Sequence, residues 1–172
     1  YCMKWIKRLC SFLFLCIVIA AGILCVKGYM DYREALDQKS VEEMAYEIES
    51  IENYTTIDQL PETYIDAVLA VEDKRFYSHP GIDPIAIGRA FVNDIRAGAY
   101  VEGGSTITQQ LAKNQYFTQD KKIVRKIAEM FMAFKIESVL DKDKIFELYV
   151  NSIFFGNGYY CVYDAAQGYF GK

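Results

Sequence analysis

Glu72 and Asp73 stand where an apolar stretch, YIDAVLAV, gives way to EDKRFYSHPG. A helix ending there delivers a carboxylate to the edge of an irregular segment, which suits a general base. The same acids would also serve as a solvated pair beside Lys74 and Arg75, an arrangement that contributes little to stability. His79 is the only histidine in the chain, so a His-rich metal site is excluded. A Ser-His-Asp triad would have to use it, and no G-x-S-x-G nucleophile elbow occurs. On its own, His79 reads as a hydrogen-bonding brace for its loop.

Two further groups could handle anions. EGGSTITQQLAKN places two flexible glycines before a helix start, where free backbone N–H groups and the helix dipole favour negative charge. Thr106 and Gln109 also fit a capping box, so Ser105, Thr106 and Gln109 have a structural reading beside a binding one. Capping does not require Lys113, two turns further along. Lys121, Arg125 and Glu129 recur at intervals of four and form one charged ridge, which reads either as a solvated face or as a cation array. Arg before Glu is the less favourable order, and such a pair stabilises a helix by only about 0.2–0.5 kcal/mol, so helix stability explains the ridge poorly.

The elements that must hold these groups are helical. One helix starts near Pro61. A second runs from Pro84, after Asp83 as N-cap, to near Gly98, and a third begins just after Gly103 and Gly104. From Asp120 to Leu140, Ile123, Val124, Ile127, Met130, Phe131 and Phe134 share one arc opposite a charged one. A fifth helix starts at Asp141 and carries Ile145, Leu148 and Tyr149 inwards. No long alternating run or hairpin signal appears, so the fold class is mainly α. Residues 27–57 are acidic from Asp31 on and read as a helical stalk carrying Val41, Met44, Ala45, Ile48 and Ile51 on one face.

Residues 9–26, LCSFLFLCIVIAAGILCV, carry no charge and as a helix are just long enough to cross a hydrocarbon core of about 30 Å. Lys4, Lys7 and Arg8 precede them, which predicts a cytoplasmic tail over 1–8 and an extracytoplasmic remainder. A cleaved signal peptide fits less well, because Ala20, Ala21 and Gly22 fall inside the apolar run. Tyr1 and Cys2 before Met3 suggest a biological start elsewhere. All 23 acidic residues lie at Asp31 or later, and the net charge is −4, which argues against nucleic acid as a partner. The five cysteines show no CxxC spacing, so neither a zinc site nor a disulfide framework is indicated; Cys161 reads as a small packing residue.

Taken in order, EDKRFYSHPG (72–81), GGSTITQQ (103–110), RKIAE (125–129), KIFELYVN (144–151) and GNGYYCVYDAA (156–166) resemble the five signature motifs of glycosyltransferase family 51, the peptidoglycan glycosyltransferases. These occur alone or as the first domain of class A penicillin-binding proteins. The resemblance covers residues 58–172 and implies a lysozyme-like helical domain, with an N-terminal transmembrane helix, that polymerises lipid II and releases undecaprenyl pyrophosphate with inversion. It implies Glu72 as the base, Glu129 as a second carboxylate, Lys113, Lys121 and Arg125 as cations on the pyrophosphate, and Ser105, Gln109 and Gln110 as substrate-binding groups. Lys126, Glu147 and Asn151 are expected to be structural. No cofactor is required; a divalent cation, Mg or Mn, on the pyrophosphate assists some members. The expected partners are lipid II, the growing glycan strand, the bacterial cytoplasmic membrane and proteins of a cell-wall synthesis complex. Cys161 departs from the family pattern, where Gly is common, and the chain is expected to end before the helices that normally finish the domain.

Two other readings compete. A lysozyme-like lytic enzyme also uses a Glu on a helical scaffold, but it has no pyrophosphate to stabilise and no need of the cations. A membrane-tethered scaffold that binds the precursor without turnover would have no reason to keep Glu72.

Overall fold

A computed structural model describes residues 2–99, 103–118 and 123–171, with side chains from Lys4 onward. Among the described residues eight α-helices follow one another: α1 (Cys2–Gln38), α2 (Val41–Glu49), α3 (Glu62–Glu72), α4 (Pro84–Ala97), α5 (Ile107–Tyr116), α6 (Ile123–Val139), α7 (Lys142–Val150) and α8 (Val162–Phe170). Single 3₁₀ turns lie at Ile57–Gln59 and Phe76–Ser78. Among the described residues the only β pairing is an isolated bridge between Gly156 and Tyr159. The architecture is mainly α, as the periodicity requires.

Local chemistry sets most of the helix ends. Asp83 accepts a hydrogen bond from the Ala86 N–H with Pro84 in the first turn, and Gly98 closes α4 at φ 63°, a conformation glycine adopts without a Cβ clash. Asp141 caps α7 through the Lys144 N–H. Pro61 occupies the N-cap of α3 at ψ 135°, one position before the first turn in which its missing donor would be tolerated.

α1 is one uninterrupted helix, and its apolar part is long enough to cross a membrane. It ends at Gln38, and Ser40 and Glu43 form a capping box that starts α2. Within the stretch read from sequence as a stalk, α2 buries Val41, Met44, Ala45 and Ile48 in the same core as α5, α6 and α7. Phe76, Ile107, Leu111, Met132, Ile136, Ile145, Phe146 and Leu148 complete that core. Gly81 stands at φ 107°, and a Cβ there would lie 3.1 Å from the Ala133 carbonyl, so the loop after α3 is pressed onto α6.

Two polar ties brace the far end of the domain. The Glu147 carboxylate accepts from the Ile57 N–H, from the Tyr54 hydroxyl at 3.2 Å and from Lys144 at 2.7 Å. Burial and then the Glu147 charge push the Tyr54 phenol up to about 12. Asn151 accepts from the Thr55 N–H at 2.9 Å and donates to the Thr55 carbonyl at 2.8 Å. Glu147 and Asn151 therefore hold the segment leading into α3, consistent with the structural roles expected for them.

Candidate active site

α3 delivers Glu72 to solvent on its last turn and buries the next residue, Asp73. That division follows from what Asp73 binds. Its carboxylate lies 2.9 Å from His79 Nε2 and accepts the Ile107 N–H at 3.1 Å. The Gly81 N–H donates to His79 Nδ1 at 3.1 Å, so the ring proton sits on Nε2 and is donated to Asp73. One buried carboxylate thus ties the end of α3 to its own loop and to the N-terminus of α5, where the helix dipole favours negative charge. His79 is the brace expected from the sequence.

The start of α5 is held in the same way. Thr106 Oγ accepts the Gln109 N–H, the Thr106 N–H donates to Gln109 Oε1 at 3.0 Å, and Thr106 Oγ donates to the Gly81 carbonyl at 2.6 Å. Gln109 is buried and its carbonyl oxygen serves this cap. Gln110 points the other way: its Nε2 donates to Glu72 at 2.8 Å, and its Oε1 accepts the Tyr149 hydroxyl at 3.2 Å. Burial and then the Glu72 charge push the Tyr149 phenol well above its ordinary range, so it remains a donor at neutral pH. Tyr149, read from sequence as core, orients Gln110 toward the carboxylate. Spacing along the chain could not show this, because the two lie on different helices.

Glu72 opens onto a polar cleft of about 540 Å³, also lined by Asp73, Lys74, Arg75, Asp83, Arg89, Ser105 and Thr106. Arg75 forms a bidentate pair with Asp83, whose carboxyl is held down to about 2 chiefly by that hydrogen bond. Arg89, on α4, is a lining residue that sequence reasoning missed; no local signal marked it, because the cleft forms only where α4 meets the end of α3 and the start of α5.

The second carboxylate lies deeper. Glu129 is buried, with Arg125 Nη1 at 2.7 Å and Lys126 Nζ at 2.9 Å, and Lys126 also donates to Ser105 at 2.6 Å. Lys126, expected to be structural, links the α6 ridge to a wall residue of the Glu72 cleft. Arg125 Nε is buried without a hydrogen-bond partner among the described residues. The structure therefore brings together Glu72, Gln110 and Ser105, and joins Glu129 and Arg125 to them through Lys126. Among the described residues lining the cleft, Gln109 and Lys113 do not feature; Lys113 is half-buried further along α5. Lys121 lies outside the described residues. No group of three or more His, Cys, Asp or Glu side chains among the described residues is arranged to hold a metal ion.

The arrangement offers an exposed carboxylate positioned by an amide and, hydrogen-bonded to Ser105 on the wall of the same cleft, a cation pair around a buried carboxylate. The first can take a proton, and the second can answer charge growing on an anionic group.

Comparison with known proteins agrees. A family model described as transglycosylase matches residues 37–172. Penicillin-binding protein 1A of Aquifex aeolicus is 55% identical over 119 residues, 69% of this chain and 16% of that protein. Penicillin-binding protein 1F of Bacillus subtilis is 50% identical over 117 residues, 68% of this chain and 16% of that protein. Penicillin-binding protein 1A of Vibrio cholerae is 37% identical over 188 aligned positions, which take in 99% of this chain and 22% of the relative. The chain spans between about a sixth and a quarter of the length of these relatives. With five motifs in order, a helical domain that gathers them, and a family match over most of its length, the chain belongs to the transglycosylase family.

Proposed function

We propose that this chain is a peptidoglycan glycosyltransferase that polymerises lipid II into glycan strands. The observation that carries the reading is Glu72: an exposed carboxylate lining a polar cleft, aimed by Gln110, in the same cleft whose wall residue Ser105 is bonded by Lys126 of the Arg125–Lys126–Glu129 cluster. In the proposed reaction the acceptor's 4-hydroxyl oxygen attacks the anomeric carbon of the donor sugar, and Glu72 takes the hydroxyl proton. The bond from that carbon to the pyrophosphate oxygen breaks, and undecaprenyl pyrophosphate leaves with the electron pair. Attack from the face opposite the leaving group inverts the centre.

Charge grows on phosphate oxygens as the bond breaks, and fixed cations aimed at that charge lower the barrier. Arg125 and Lys126 supply it, with Lys113 and Lys121 as further candidates, while Glu129 keeps the two α6 cations in place. Ser105 and Gln110 contact the sugar or phosphate, whereas the capping bond of Gln109 favours an indirect role. No cofactor enters these steps; a divalent cation, where used, would be carried by the pyrophosphate rather than by protein ligands.

The apolar α1 supports a membrane-anchored protein, and the basic residues before it favour a cytoplasmic N-terminus with the catalytic domain outside. The growing glycan strand and the lipid-linked precursor are then presented at the same surface, where proteins of a cell-wall synthesis complex would also meet the chain. The complete gene product in detergent or nanodiscs, given lipid II, is expected to build glycan polymer and to release no fragments from preformed glycan. Cleavage of preformed glycan without polymerisation would favour the lytic reading instead.

A further inference from the structure

α1 does not leave the domain at the membrane edge. Beyond the uncharged stretch that closes at Val26 it continues to Gln38, and it makes the most extensive helix pairing among the described elements, with α6. The register of that pairing is set at Gly28. Gly28 is buried between exposed Val26 and Met30, and a Cβ built there would lie 2.6 Å from Ile127 Cγ2 and 3.1 Å from the Val124 carbonyl oxygen. Real Cβ atoms do not approach so closely, so any other residue would push α1 off α6. One turn further on, Phe131 meets Tyr29 edge-on at 5.4 Å and Tyr32 at 5.9 Å, closing the contact with aromatic packing.

The residues beside this contact are those that hold charge. Val124 and Ile127 bracket Arg125 and Lys126 in sequence, and these two cations flank buried Glu129. Gly28 is two residues past Val26, about 3 Å along a helix, which lies within the headgroup layer of roughly 5–7 Å just outside the hydrocarbon core. We propose that the Gly28–Ile127 contact is a positioning device: it fixes the height of the Arg125–Lys126 pair at the membrane surface, where the phosphates of a lipid-linked donor must lie. Gly28 is then a positioning residue for transfer, acting through α6. This role rests on the glycosyl-transfer reading; the packing contact does not.

The test separates the two. A fluorescent non-natural amino acid incorporated at position 123, exposed at the start of α6, gives one selectively excited fluorophore whatever tryptophans the complete gene product carries. The complete gene product, in nanodiscs of brominated phosphatidylcholine, is expected to show stronger quenching by lipids brominated near the headgroup end of the acyl chain than by lipids brominated near its tip. Gly28→Leu should lower that shallow quenching by at least half and cut turnover at saturating lipid II at least tenfold, with helicity by circular dichroism retained. Met30→Leu, at an exposed position on the same helix, should change neither. If Gly28→Leu loses its helical signal, Gly28→Ala carries the same comparison, and adding Ile127→Gly, which removes both atoms within 2.7 Å of the new Cβ, should recover part of both readouts. Unchanged quenching and turnover in Gly28→Leu would overturn the proposal, as would lost turnover with unchanged quenching. Quenching that depends on Gly28 in a protein that never polymerises lipid II would refute the glycosyl-transfer reading while upholding the contact.

Discussion

Glu129→Gln separates what the buried charge cluster does for stability from what it does for catalysis. Glu129 is 1% exposed and faces two cations: Arg125, 17% exposed, at 2.7 Å and Lys126, 42% exposed, at 2.9 Å. Removing one partner of a buried pair costs about 3–5 kcal/mol, because the other charge stays buried and unpaired. Lys126 can swing toward water and keeps Ser105, so it adds little. Arg125 dominates, and the amide oxygen of Gln still accepts one bond, which places the loss near the lower end, about 3 kcal/mol. For a domain of this size each kcal/mol moves the thermal midpoint by roughly 2–4 °C, so the expected drop is roughly 6–12 °C. Thermal unfolding in detergent, followed by circular dichroism, reads it. The double variant Arg125→Met with Glu129→Met replaces the pair with apolar groups of similar length and should regain most of that stability, since such replacements are often neutral or better. It should not regain lipid II turnover. A midpoint shift under about 2 °C in Glu129→Gln would refute the buried-pair reasoning, and turnover restored in the double variant would reduce the ridge to scaffolding.

Three smaller changes probe the supports around Glu72. Thr106→Ala removes the α5 cap and the bond to the Gly81 carbonyl, and should cost about 1–2 kcal/mol in chemical denaturation. Tyr149→Phe leaves the core filled but frees Gln110 Oε1, so kcat for polymerisation should fall several-fold with a smaller change in stability; equal kcat would mean that Gln110 needs no such support. Asp83 is held at about 2 against an ordinary 3.8, so its pairing with Arg75 stabilises the fold fully above 3.8 and is lost as the pH falls toward 2. Asp83→Asn should therefore be less stable at neutral pH and show a shallower loss of stability between pH 4 and 2 than the parent, measured by denaturation across that range.

What could be read from the chain is what local chemistry decides. Asp83, Pro84 and Gly98 bound α4 because a cap, a fixed φ and a left-handed residue act within a few positions. Thr106 and Gln109 announce α5 for the same reason. The ridge of Arg125 and Glu129 was legible as a pair because four residues on a helix are one turn apart. The ties that make a site of these pieces act across distance. Asp73 reaches the Ile107 N–H, Tyr149 reaches Gln110, and Lys126 reaches Ser105, each pairing side chains or backbone from different elements. Nothing in local spacing distinguishes a Lys126 that bridges from one that is solvated. The inward face of α2 was visible in Val41, Met44, Ala45 and Ile48, but the pattern could not say whether that face met the domain core or a neighbour. Gly28 carried no signal either, since a glycine after an apolar run is tolerated without any partner.

The most direct test of the central claim is Glu72→Gln in the complete gene product, with lipid II turnover and donor binding measured on the same preparation. Gln keeps the shape and can still meet Gln110 but cannot take a proton, and loss of a general base typically costs about 10²–10⁴-fold in rate. The account predicts a fall in kcat of that order with donor affinity changed less than about threefold. Turnover close to that of the parent, or a loss confined to donor binding, would contradict Glu72 as the base.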